Sequence, residues 1–177
     1  LPNAAACATP PTICVGQSSV VTATGGGTYL WNTGATTASI TVSPAITTTY
    51  TVTVTGANNC TKTATATVTV LPLPNASASA TPATICEGQS SVVTATGGGT
   101  YLWSTGATTA AITVSPATTT TYTVTVTGAN NCTKTATATV TVLPLPNAAA
   151  SATPPTICVG QSSVVTATGG GTYLWNT

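Results

Sequence analysis

Few side chains in this sequence could do chemistry, and most of them are cysteines. The 177 residues include six cysteines, no histidine and no aspartate, and Lys62, Lys134 and Glu87 are the only other strongly ionisable side chains besides tyrosine. General acid–base catalysis needs a titratable group near the reacting atom. Carboxylates are the usual ligands of hard cations, and nucleic acid binding needs a basic surface. We therefore expect no catalytic residue, no cofactor, no metal site and no nucleic-acid partner.

Hydroxyl groups replace charge on this chain. Threonine occurs 47 times, whereas charged residues make up 2%, far below the roughly 25–35% of an ordinary soluble surface. Because low net charge promotes association, either O-linked glycans on Thr and Ser or burial of these faces in a fibre would be needed. Candidate O-glycosylation sites are Thr51, Thr53, Thr55, Thr65, Thr67 and Thr69. Weaker candidates, which match the N-glycosylation acceptor pattern, are Asn59, Asn75 and Asn131.

An internal repeat of 72 residues organises the chain. Residues 1–72 and 73–144 differ at only seven positions, and residues 145–177 repeat the first 33. The sequence thus predicts two complete modules, 1–72 and 73–144, and the first half of a third, 145–177. Since the chain begins with the motif found at each repeat junction, we expect it to be a piece of a longer array.

Within a repeat, the hydrophobic pattern has the period of β-strands. In residues 47–56 and 61–70, apolar side chains alternate with threonines, which is typical of half-buried antiparallel strands. Further strands are predicted over 4–9, 18–24, 28–32 and 38–43, with turns at 25–27, 33–36, 43–45 and 56–59. Tyr29 and Trp31 share one strand face, which favours core packing. Six or seven short strands with a tryptophan on the third predict an all-β chain of immunoglobulin-like β-sandwiches.

The glycine-rich and proline-rich segments between the strands predict a turn and linkers. Gly25–Gly27 follows a strand, but a phosphate-binding loop precedes a helix and usually carries a lysine, so we predict a hairpin turn. The LPLPN segments at 71–75 and 143–147 carry prolines that cannot donate to a strand ladder. They therefore predict short, stiff linkers that join the modules end to end.

The cysteines predict disulfides within each complete repeat. Cys14 lies just before the second predicted strand and Cys60 lies in the last turn, and in a sandwich these positions can share one end. We therefore predict the pairs Cys14 with Cys60 and Cys86 with Cys132, each stabilising by up to about 4 kcal/mol. Disulfides indicate an oxidising, extracytoplasmic compartment.

Two cysteines have no predicted partner in this chain. Cys158 would find its partner in the second half of the third repeat. Cys7 is replaced by serine at the matching positions Ser79 and Ser151, and we expect a free buried thiol. An intermolecular link or a misassigned residue are the alternatives.

The repeat resembles the immunoglobulin-like or PKD-like repeats of large secreted, surface-attached proteins of gliding-type Gram-negative bacteria. The resemblance covers nearly the whole repeat and is carried by residues 14–18 (CVGQS), Trp31 before residues 33–36 (TGAT), Ser43-Pro44, residues 48–52 (TTYTV) and Asn59-Cys60. It implies cell-surface adhesins, stalks and filaments, and no catalytic residues. The near loss of charge and the almost identical copies depart from that pattern and favour an assembled or coated fibre.

These observations predict a structural protein that is not an enzyme. The expected role is a segment of an extracellular or cell-surface fibre whose partners are copies of itself and covalent glycans, with no membrane span in this segment. One alternative is an adhesin module that binds glycan or another cell through turns 25–27 and 56–59. Another is a pilus-like polymer in which residues 145–177 are completed by strands of a neighbouring molecule.

Overall fold

The computed structural model describes residues 1–176, and none of these residues is helical. Each complete repeat forms seven strands. The first contains β1 (Ala5–Thr9), β2 (Thr12–Cys14), β3 (Ser19–Thr24), β4 (Thr28–Trp31), β5 (Ser39–Val42), β6 (Thr48–Thr55) and β7 (Thr61–Leu71). The second contains β8 (Ser77–Thr81), β9 (Thr84–Cys86), β10 (Ser91–Thr96), β11 (Thr100–Trp103), β12 (Ala111–Val114), β13 (Thr120–Thr127) and β14 (Thr133–Leu143). The remainder forms β15 (Ala149–Thr153) and β16 (Val164–Thr168).

The seven strands of the first repeat form two sheets. One has the order β1-β3-β5 and the other the order β2-β7-β6-β4. All neighbours are antiparallel except β2, which runs parallel to the end of β7 and places Cys14 beside Leu71. The second repeat has the same two sheets, with orders β8-β10-β12 and β9-β14-β13-β11. Two facing sheets of this topology are the arrangement of an immunoglobulin-like sandwich.

The predicted alternation of apolar residues and threonine is confirmed. On β6, Tyr50, Val52 and Val54 are buried, whereas the threonines between them are only half-buried and lie on the opposite face. Trp31 is 2% exposed, and its indole Nε1 donates to the Thr37 carbonyl at 2.9 Å. A second, separate cluster around Trp103 fills the second repeat. Each complete repeat therefore has its own core between its sheets.

Two local predictions need correction. The sequence pattern does not predict the short strand β2, which contains Cys14, because three residues are too few to show a hydrophobic period. Gly25–Gly27 is not a hairpin turn, since β3 and β4 lie in different sheets. All three glycines have positive φ, as expected. A Cβ on Gly27 would overlap the Thr55 carbonyl oxygen, so close packing against β6 also requires glycine here.

The third repeat is represented by a two-stranded sheet. β15 pairs with β16, and Val164, Leu174 and Trp175 are largely exposed. Trp175 is 49% exposed, although its counterpart Trp31 is buried. The difference arises because the strands that cover Trp31 have no counterparts in residues 145–176. Thr177, the last residue of the third predicted repeat, lies outside the described residues.

Candidate functional site: the joint between the repeats

A disulfide joins the first repeat to the second. Cys14 is bonded to Cys132, with their Cα atoms 5.7 Å apart and 118 residues between them in sequence. The predicted pairs Cys14 with Cys60 and Cys86 with Cys132 are therefore wrong, and Cys60 and Cys86 are free thiols. The bond connects neighbouring repeats instead of closing a loop within one.

The positions of the strands explain why the intra-repeat pairs cannot form. Cys14 lies beside Leu71, the last residue of β7, whereas Cys60 directly precedes Thr61, the first residue of that strand. Ten residues of extended chain separate the two ends by roughly 33 Å. A disulfide needs Cα atoms within about 7 Å of each other. Cys14 and Cys60 therefore lie at opposite ends of the sandwich.

A side-chain hydrogen bond strengthens the same contact. The Asn130 Nδ2 donates to the Pro72 carbonyl at 2.8 Å, and its Oδ1 accepts from the Cys132 backbone N–H at 3.1 Å. Its counterpart Asn58 makes only the second of these bonds among the described residues, to the Cys60 N–H. Asn130 thus links the linker to the turn that carries Cys132. Sequence reasoning missed this role, because an asparagine in a turn gives no signal of a partner 58 residues away.

Residues 72–74 line an open groove together with two turns of the second repeat. The two turns are Gly97–Gly99 and residues 128–130, and a Cβ on Gly128 would come 3.6 Å from the Pro74 Cβ. A Cβ on Gly97 would come 3.0 Å from the Ala76 Cα, so glycine allows the chain that follows the linker to pass closely. We call the Cys14–Cys132 bond, residues 72–74 and residues 128–130 together the joint. Leu1 and Pro2 line the equivalent groove of the first repeat.

The other cysteines lie outside the joint. Cys7 and Cys158 are free and exposed. The expectation that Cys7 is buried is wrong, because Cys7 faces outward between the inward-facing Ala6 and Ala8 on β1. Cys60 lies at the end of the first repeat that is remote from the joint, and Cys86 lies beside Leu143 at the remote end of the second.

The disulfide pairing can be checked by one tryptic digest, since the only lysines are Lys62 and Lys134. If thiols are alkylated under denaturing conditions before digestion, we expect fragments 1–62 and 63–134 to remain joined in non-reducing mass spectrometry. Intra-repeat pairs would instead leave these fragments separate. The Cys132→Ser variant is the control, and its fragments should separate.

Threonines cover the outer face of β6 and β7. Thr51, Thr53 and Thr55 pair across the strands with Thr65, Thr63 and Thr61, and the hydroxyls of Thr49 and Thr67 are 2.9 Å apart. Of the candidate O-glycosylation sites, Thr65 and Thr67 are exposed and the other four are half-buried. All six lie on the outer face of their strands. The face thus presents a dense array of hydroxyl groups.

The three N-glycosylation candidates are exposed. Asn59 and Asn131 adopt positive φ in the turns before β7 and β14. Asn131 directly precedes Cys132, so its acceptor sequence has a disulfide-bonded cysteine at the middle position. That bond would hinder access to Asn131 once the joint has formed, whereas Asn59 has no such neighbour.

Residues 1–176 contain no group of three or more potential metal-ligating side chains. No helix in this part of the chain is long and apolar enough to cross a membrane. Lys62 and Lys134 are exposed. Lys62 lies on the part of β7 that β2 does not cover, where a lysine hinders edge-to-edge pairing with another chain.

No protein-family profile and no curated protein sequence matches the chain significantly. Similar solved structures include murine CEACAM1b, with 14% identity and a TM-score of 0.39 over 81% of this chain and 100% of that one. An adhesin described as Ca²⁺-stabilised, with which an Antarctic bacterium binds ice, has 18% identity and a TM-score of 0.38, covering 84% and 51%.

A 1.5-MDa bacterial ice-binding adhesin has 15% identity and a TM-score of 0.36, covering 85% of this chain and 68% of that one. These TM-scores are too low to support any argument about function. Even a shared fold would not do so, because one fold serves many functions. The immunoglobulin-like description of this chain therefore rests on its strand order and core.

Proposed function

We propose that this chain is a structural segment of an extracellular fibre or stalk. The observation that carries the proposal is the joint, where a disulfide and the Asn130–Pro72 hydrogen bond restrain one repeat against the next. A linker with two prolines has few accessible conformations, and the disulfide restricts it further. A restrained joint suits a spacer, which must hold its length.

The proposed domain organisation follows the sequence repeat. We assign the modules to residues 1–72, 73–144 and 145–177, joined end to end through proline linkers. The separate cores of the first two repeats support this division. A disulfide between modules also fits an oxidising location outside the cytoplasm.

We further propose that O-linked glycans cover the threonine face. The exposed hydroxyls of Thr65 and Thr67 are accessible for modification, and charge cannot supply solubility here. Intact-mass measurement of the native protein tests this part of the proposal. For this segment we expect a mass above the 17.1 kDa of the bare polypeptide. Deglycosylation should bring the mass back to that value. A mass equal to the bare polypeptide would refute glycosylation.

Imaging of the native assembly tests the structural role. We expect thin fibres in which successive sandwiches follow one another along the axis, coated where glycans are present. Isolated globular particles, or repeats that lie side by side, would refute the spacer role. A distinct tip that contacts another cell would instead support the adhesin alternative.

Strand exchange has one observation in its favour, which is the exposed apolar surface of residues 145–176. Tyr173, Leu174 and Trp175 line an open groove there with residues 148–150. However, residues 145–177 differ from residues 1–33 only at Ser151, which corresponds to Cys7. If they replaced residues 1–33 of a second copy, an equal apolar surface would be released. The exchange would therefore gain no net burial, which favours the spacer.

A further inference from the structure

We propose that the Cys14–Cys132 disulfide gives the chain a second function, that of a tether that bears tension without unfolding. The bond connects residues 1–14 to residues 132–143, and we call these two segments together the covalent path. The proposal rests on the proposed fibre role for its setting. Its geometric basis, however, is the placement of these two segments in the sandwiches.

Residues 1–14 cross the first repeat once, from one end to the other. Ala5 pairs with Thr24, next to the Gly25–Gly27 turn, at the end that is remote from the joint. Cys14 pairs with Leu71 at the joint. The segment consists mainly of the extended strands β1 and β2, so it contains little slack.

Residues 132–143 cross the second repeat in the same way. Cys132 lies at the joint and is 0% exposed. The eleven residues of β14 follow it directly and end at Leu143, beside Cys86 at the remote end. The disulfide therefore places two extended segments in series, each spanning one repeat.

The covalent path is much shorter than the peptide chain that it bypasses. Its fourteen and twelve residues have a contour of about 85 Å, whereas the 118-residue separation between the two cysteines corresponds to about 390 Å of extended chain. A force applied at Leu1 and Leu143 reaches the disulfide through strands that are already extended. The intervening residues, which form most of both cores, carry none of it.

Without the disulfide, the same force would have to pass through both sandwiches. The chain enters the first repeat at β1 and leaves it at β7, and these strands lie in different sheets. Pulling would then separate the two sheets, and each repeat would unfold in turn at its own rate of forced unfolding. The covalent bond removes that route, so the length of the tether no longer depends on the stability of its cores.

Single-molecule force spectroscopy tests the proposal on the full chain, held through terminal tags. We expect the oxidised chain to release at most about 110 Å from residues 145–177 and then to keep its length, with no step of the size of a whole repeat. The reduced chain should release roughly 390 Å more. The Cys14→Ser variant should behave like the reduced chain even without reductant.

The Cys86→Ser variant is the matched control, because it removes an exposed free thiol outside the covalent path, at the position in the second repeat that corresponds to Cys14. We expect it to match the oxidised native chain. Repeat-sized steps in the oxidised chain, or equal lengths for oxidised and reduced chains, would overturn the proposal. If the Cys14→Ser variant does not fold, adding reductant to the native chain under tension gives the same comparison. This measurement depends neither on glycans nor on assembly. Its result would therefore be the same if the proposed fibre role were wrong.

Discussion

Replacing Trp31 by alanine is expected to unfold the first repeat and leave the second folded. The indole is 2% exposed and packs in a cluster with Val21, Val52 and Val68. Truncating a buried tryptophan to alanine costs about 3–5 kcal/mol, since the lost contacts leave a cavity. A sandwich of some 70 residues has little stability to spare. Calorimetry should therefore lose one of two thermal transitions, or show it shifted down by roughly 15–30 °C.

The chain itself offers a matched control for this variant. Trp175 has the same local sequence as Trp31 but is 49% exposed, so Trp175→Ala should change the stability of the two complete repeats by less than about 0.5 kcal/mol. Trp103→Ala should have the effect of Trp31→Ala in the second repeat, because its indole donates the equivalent bond to the Thr109 carbonyl. Equal effects of the Trp31 and Trp175 variants would show that the buried cluster does not stabilise the repeat.

The strands and the core were predictable because their signal is local. Alternation in residues 61–70 fixes which side of β7 faces inward, and a tryptophan between two turns marks a buried strand. Twelve strands of the two complete repeats carry such a pattern. The strands β2 and β9 do not, since three residues show no period and their partner lies more than fifty residues away.

The failure to predict β2 explains the wrong disulfides. Without the parallel pair between β2 and β7, the end of the sandwich at which Cys14 lies is unknown, and a partner within the repeat is the simplest assumption. The structure places Cys14 at the end that meets the next repeat. A cysteine near each end of a repeated module can bond to its neighbour in the array, and the sequence alone does not distinguish this from a bond within the module.

Gly27→Ala is expected to destabilise the first repeat by about 2–5 kcal/mol. Its φ of 103° costs an alanine about 1–2 kcal/mol. The added Cβ would also overlap the Thr55 carbonyl oxygen, and overpacking of this kind adds about 1–3 kcal/mol. Thr55 cannot move away freely, because it pairs with both Thr28 and Thr61. Thermal unfolding of the variant should show one transition lowered and the other unchanged.

Gly26→Ala separates the steric contribution from the backbone contribution. Gly26 also has positive φ, at 70°, but a Cβ there would meet nothing within 4 Å. We therefore expect a loss of only about 1–2 kcal/mol, clearly smaller than for Gly27. Equal losses at the two positions would mean that the contact with Thr55 is unimportant and that these glycines serve φ alone. A larger loss at Gly27 would establish that the turn is glycine-rich because it packs against the backbone of β6, beside the groove in which the chain enters the repeat.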